Sequence, residues 1–72
     1  MTRDEFMVQM QDVLQTDDKL TAETQLDDLV EWDSLAMMAM VAFLGKNFGV
    51  EVGLKDFIEM STIGDLMAKA GV

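Results

Sequence analysis

Asp33 and Ser34 stand where a long apolar segment begins, and they are the pair in this chain best placed to take part in chemistry. A hydroxyl beside a carboxylate first suggests a hydrolytic nucleophile. That reading fails because the chain has no His and no Cys. No imidazole can stand between the two groups to accept the proton, and the common bases and thiol nucleophiles are missing. The acids Asp27, Asp28, Glu31 and Asp33 raise the question of a calcium loop, but the alternating ligands, turn glycine and distal Glu of such a loop are lacking. Met37, Met38 and Met40 read as apolar filler rather than metal ligands. No glycine-rich loop is present to cradle a phosphate. The residues therefore point away from an enzyme. Two readings of Ser34 remain: a helix N-cap, for which Asp and Ser are preferred types, or a hydroxyl that another protein modifies.

The elements that must position this pair follow from hydrophobic spacing. Thr2-Arg3-Asp4-Glu5 has the pattern of a capping box. Phe6, Met10, Val13 and Leu14 then recur at helical intervals, which predicts a first helix over residues 2–16. Residues 17–33 hold seven acids (Asp17, Asp18, Glu23, Asp27, Asp28, Glu31, Asp33) against one base, Lys19. Leu20, Leu26, Leu29, Val30 and Trp32 are spread among them. That is too much apolar surface for a disordered linker. A long loop pinned to the core by these side chains is expected, with one short turn at Leu26-Asp27-Asp28-Leu29. Loops of this length in small domains are usually functional.

A second helix is expected over residues 34–48, with Met37, Met40, Val41, Leu44 and Phe48 inward. The outward set is then Leu35, Ala36, Met38, Ala39, Ala42, Phe43, Gly45 and Lys46. Gly49 supplies a stop, and Val50-Glu51-Val52 reads as an extended connector. A brief third helix is predicted over residues 54–60, burying Leu54, Phe57 and Ile58. Ser61 or Thr62 caps a fourth over residues 62–70, with Ile63, Leu66, Met67 and Ala70 inward and Gly71 ending it. The fold class is all-α: one four-helix bundle over residues 1–72, with a long loop between helices one and two and a short third helix.

The net charge is −9, from 14 acidic and 5 basic residues. Phosphate backbones require Lys and Arg, so nucleic acid is excluded as a partner. No apolar run is long enough to span a membrane, and the N-terminus lacks the apolar core of a signal peptide. With no Cys to form a disulfide, a cytoplasmic monomer is expected. A start at Met1 and an end just beyond a helix stop suggest a free-standing protein.

The triplet Asp33-Ser34-Leu35 opens the second of four expected helices, after a long acidic loop, in a short acidic chain without Cys. Together with Trp32, the Phe48-Gly49-Val50-Glu51-Val52 ending and Ser61-Thr62-Ile63 before the last helix, it resembles the acyl carrier proteins across essentially the whole chain. The resemblance implies that Ser34 is esterified to 4′-phosphopantetheine, taken from coenzyme A by a phosphopantetheinyl transferase. The arm's thiol would then carry acyl, aminoacyl or polyketide groups as thioesters between loading, condensing and acyl-transferring enzymes. Asp33 and Leu35 would help the transferase to recognise the site. The core face at Met37, Met40, Val41 and Leu44, with Ile63, could open to shelter a short acyl chain.

One departure from the family pattern stands out. Many fatty-acid carriers have an acidic outer face on helix two, whereas no acid occurs between Ser34 and Phe48 here. The expectation is a specialised pathway, with partners held through apolar contact at Leu35, Met38, Ala39, Ala42 and Phe43 while the acidic loop attracts them. The competing expectation is an unmodified helical interaction module in which Ser34 only caps its helix.

Overall fold

The computed structural model describes all of residues 1–72. Four helices form in the expected order: α1 Arg3–Leu14, α2 Ser34–Phe48, α3 Leu54–Ile58 and α4 Ile63–Ala70. A single 3-10 turn, Leu26–Asp28, interrupts the long loop where the Leu26-Asp27-Asp28-Leu29 turn is expected. No strands form, apart from one isolated bridge between Gln25 and Thr62.

The Thr2 capping box closes as its sequence predicts: Thr2 N–H donates to Glu5 Oε1 at 2.9 Å, and Glu5 N–H donates to Thr2 Oγ1 at 3.1 Å. At the other end α1 stops at Leu14, earlier than expected. Gln15 turns into the left-handed region (φ 55°), and Thr16 N–H reaches back to Gln11 O at 3.0 Å. That backbone turn satisfies carbonyls the helix end would otherwise leave open.

Phe6, Met10 and Leu14 of α1 meet Ala36, Met40, Phe43 and Leu44 of α2 in one core. Phe57 of α3 and Ile63, Leu66 and Met67 of α4 complete it from the other side. The ring of Phe6 lies 5.7 Å from Phe43 and 6.0 Å from Phe48, and Phe43 is 5.9 Å from Phe48. The Phe6–Phe43 and Phe43–Phe48 contacts are edge-to-face, a favoured arrangement of aromatic quadrupoles.

This packing corrects the expected phase of α2. Ala36 and Phe43, assigned outward, are buried, while Met37, Val41 and Phe48 are only half-buried. The buried set 36, 40, 43, 44 is itself a good helical stripe. α2 is apolar almost all round, with Lys46 and Asn47 only near its end, so no polar stripe marks its outer face. The position of α1 decides which arc is covered.

Two other corrections concern single side chains. Val30 was expected to pin the loop but is exposed, and the pinning falls to buried Leu20 and Leu26 and half-buried Leu29 and Trp32. Leu54 and Ile58 were expected inside and are exposed. α3 is only five residues long, and such a helix offers one side chain, Phe57, to the core.

The loop is also zipped to the start of α4. Leu26 N–H donates to Ser61 O, Ile63 N–H to Thr24 O and Gly64 N–H to Ala22 O, at 2.9, 3.1 and 2.9 Å. Thr62 caps α4, and Asp65 Oδ2 accepts from Ser61 N–H at 2.8 Å and Thr62 N–H at 3.1 Å. Those two backbone donors hold the Asp65 carboxyl below its ordinary range, and the Thr2 N–H does the same for Glu5. Both pKa values are depressed on folding, so the stability they contribute is present above the unfolded carboxylate range of about 4 and is lost as pH falls through the folded values. Melting temperatures measured from neutral to acid pH are expected to fall below about pH 4. In Asp65→Asn the neutral-pH melting temperature drops toward the acid value, and the acid-side fall is correspondingly smaller.

Gly64 and Gly45 make a contrasting pair. A Cβ on Gly64 would sit 3.1 Å from Ala22 O, the same oxygen that accepts the Gly64 N–H. A Cβ on Gly45 would meet only Val50 O at an ordinary 3.9 Å. Gly64→Ala should therefore cost about 1 kcal/mol through overpacking against the zipped loop. Gly45→Ala, inside α2, should gain about 1 kcal/mol from helix propensity. Urea unfolding of the two variants checks both signs.

Candidate phosphopantetheine attachment site

The approach to Ser34 is a chain of short turns. Leu29 N–H donates to Leu26 O, Trp32 N–H to Leu29 O and Asp33 N–H to Glu31 O, at 3.0, 3.1 and 2.9 Å. The Trp32 ring then meets Phe57 edge-on, with centroids 5.4 Å apart and planes at 90°. That contact ties the last loop residues to α3 and fixes the direction in which α2 begins.

Asp33 is the N-cap, with extended backbone (φ −122°, ψ −173°), and its Oδ1 accepts the Ala36 N–H at 2.9 Å. Ser34 is the first residue inside the helix and is exposed. The division of labour matters. Sequence left the cap open between the two residues; here the carboxylate takes it, and the Ser34 hydroxyl has no capping duty. The Ser34 and Leu35 amides precede the first intrahelical acceptor and have no partner in the chain. Two free N–H groups and the positive end of a fifteen-residue helix therefore lie beside the hydroxyl, an environment that suits a phosphodiester. No acidic residue occupies the first turn of α2 to oppose it. The residues present fit a phosphopantetheine arm at this position.

Around the hydroxyl, Asp33, Leu35, Met38, Ala39 and Ala42 are all exposed, as a recognition surface requires. Phe43, grouped with them on sequence, is in the core and cannot be a docking anchor. Among the residues expected to shelter an acyl chain, Met40, Leu44 and Ile63 are fully buried and Met37 and Val41 half-buried. Val41 also lines a surface groove of about 500 Å³ with Gly45 and residues Val50 to Gly53. Sequence reasoning missed Val30 and Ile58 as surface residues at this end of the molecule. Val30 lies in a loop with no helical period to flag it, whereas exposed Lys55, one turn before Ile58 on α3, is a polar neighbour that could have done so.

The family model for the phosphopantetheine attachment site matches residues 5–69. The chain belongs to that family. The group its members carry is 4′-phosphopantetheine, attached covalently, and the architecture and general carrier role of this chain are those of an acyl carrier protein. The solution structure of the holo acyl carrier protein from Geobacter metallireducens is similar to it, with a TM-score of 0.75 and 26% sequence identity over 94% of this chain and 79% of that one. The curated proteins compared contain no match to the sequence. No helix is long and apolar enough to cross a membrane.

Proposed function

We propose that Ser34 is the attachment residue and that residues 1–72 are one carrier domain of a specialised acyl, polyketide or aminoacyl pathway. The observation that carries this is the exposed Ser34 hydroxyl at the first position of α2, released from capping by Asp33. In the modification, Ser34 Oγ attacks the β-phosphorus of coenzyme A. Its proton passes to a base of the transferase as the bond from that phosphorus to the departing 3′,5′-ADP breaks. When bound, the arm supplies a terminal thiol that carries an acyl group as a thioester.

The chain's own part is positional. The Ser34 and Leu35 amides and the α2 dipole steady the phosphodiester. Asp33 holds the first turn of the helix, and the Trp32–Phe57 contact holds the loop behind it. The absence of His and Cys leaves acyl chemistry to partner enzymes. A specialised pathway is supported by α2, which carries Lys46 and no acid. Half-buried Met37 and Val41 stand at the margin of the core, where a short acyl chain would enter beside Met40, Leu44 and Ile63. A cytoplasmic monomer accords with a chain that has no Cys and a charge of −9.

The test is intact mass after incubation with coenzyme A and a broad-specificity phosphopantetheinyl transferase. A gain of one arm in the wild-type chain supports the proposal. No gain with several transferases would favour the unmodified interaction module.

A further inference from the structure

A groove of about 470 Å³ runs between the end of α1 and the start of α2. Its floor is apolar, made by Val13 of α1 with Leu35, Ala36 and Ala39 of α2, and its rim carries Gln15, Glu31 and Asp33. A mostly apolar lining with a few polar groups, in a volume of this order, is the usual make-up of a small-ligand site. Asp33 and Leu35 flank Ser34 in the chain, so the groove opens beside the attachment residue. It lies on the flank of α2 away from the Val41 groove, since Ala39 and Val41 are two residues, about 200°, apart around the helix.

Gln15 supplies a second observation. It is the one non-glycine residue with a positive φ, at 55°. The left-handed region is uncommon for such a side chain, whereas glycine enters it without steric cost. The two other left-handed helix ends, Gly49 and Gly71, do use glycine. Glycine at position 15 would ease the turn but would take the carboxamide out of the groove lining. A strained backbone kept for the sake of its side chain marks a functional position.

The attachment at Ser34 selects the occupant. From its phosphate outward, phosphopantetheine presents a carbon bearing two methyl groups, then a hydroxyl, then an amide. The methyl groups match the floor of Val13, Leu35 and Ala39. Gln15 offers both a donor and an acceptor to the hydroxyl and amide, and Glu31 offers acceptors. Tethering makes this contact intramolecular, with an effective concentration on the order of millimolar, so weak contacts suffice to fill the groove.

We propose that Val13, Gln15, Glu31, Leu35 and Ala39 form a resting site for the part of the arm nearest Ser34, on the α1 side of α2. This rests on Ser34 being the modified residue.

The test compares the apo chain with the holo chain, loaded from coenzyme A by a broad-specificity phosphopantetheinyl transferase and checked by intact mass. In NMR spectra the amides of Val13, Gln15 and Ala39 are expected to shift on loading, and the two arm methyl groups to show nuclear Overhauser contacts with Val13. Ala39→Gln, which fills the groove with a longer side chain, should lose those contacts. Gln15→Gly should lose them too, yet melt no lower than the wild type, because glycine takes the positive φ without strain. A holo chain whose arm contacts Met37 or Val41 instead, or touches no residue of the groove, would overturn the proposal. So would contacts with Val13 that persist unchanged in both variants. No mass gain in the wild-type chain would instead overturn the assignment of Ser34.

Discussion

Ser34→Ala is expected to keep its unmodified mass under conditions in which the wild-type chain gains one phosphopantetheine arm. The effect is all-or-none because the other serine, Ser61, is occupied differently. Its backbone N–H donates to Asp65 Oδ2, its C=O accepts from the Leu26 N–H, and it sits before a cap rather than inside a helix start. The variant should also fold as well as the wild type. Ser34 is exposed and its hydroxyl caps nothing, so removing it should change stability by less than about 0.5 kcal/mol. Asp33→Ala makes the useful contrast: it leaves the hydroxyl in place but removes the bond to the Ala36 N–H, which should cost about 1 kcal/mol. Mass spectrometry and urea unfolding on the two variants separate the chemical role of one residue from the structural role of its neighbour. If Ser34→Ala still gained the arm, the assignment of the site would fall.

Phe43→Ala should lose about 3–5 kcal/mol of folding stability, the usual cost of deleting a buried aromatic side chain. Phe43 is almost fully buried and meets both Phe6 and Phe48 edge-on, so truncation opens a void between α1 and α2 and removes two aromatic contacts. A domain of this size has only about 4–11 kcal/mol in total. The variant should therefore melt far below the wild type, and Phe43→Glu should not fold, because an unpaired carboxylate cannot be buried there. Met38→Glu, five residues earlier, should melt near the wild type. Thermal unfolding followed by circular dichroism decides the matter. A Phe43→Ala variant with wild-type stability would mean that the ring is not in the core.

The contrast between Met38 and Phe43 bears on how partner binding is dissected. Both are apolar residues of α2, and sequence places both on its outer face. A loss of partner binding in a Phe43 variant would report unfolding, whereas the same loss in a Met38 or Ile58 variant would report the surface.

What the sequence determined by itself is whatever depends on near neighbours along the chain. The capping pattern Thr2-x-x-Glu5, a cap at Ser61 or Thr62, the stops at Gly49 and Gly71 and the leucine spacing of the loop are local, and each forms where the residues place it. The carrier family was legible for the same reason: Asp33-Ser34-Leu35 and the segments that accompany it are short motifs in a fixed order. The expectation of a carrier rather than an enzyme rests on the absence of His and Cys.

Tertiary structure decided what local pattern leaves degenerate. α2 has no polar stripe, so only the crossing of α1 could show that Ala36 and Phe43 face in and Met37 and Val41 lie at the margin. Val30, Leu54 and Ile58 are as apolar as their buried neighbours, and they are outside because a five-residue helix and a loop held by Trp32 have no more core to offer them. Whether Asp33 or Ser34 caps α2 likewise depends on backbone geometry, since either side chain can do it. Asp33 takes the cap, and the Ser34 hydroxyl stays exposed at the helix start.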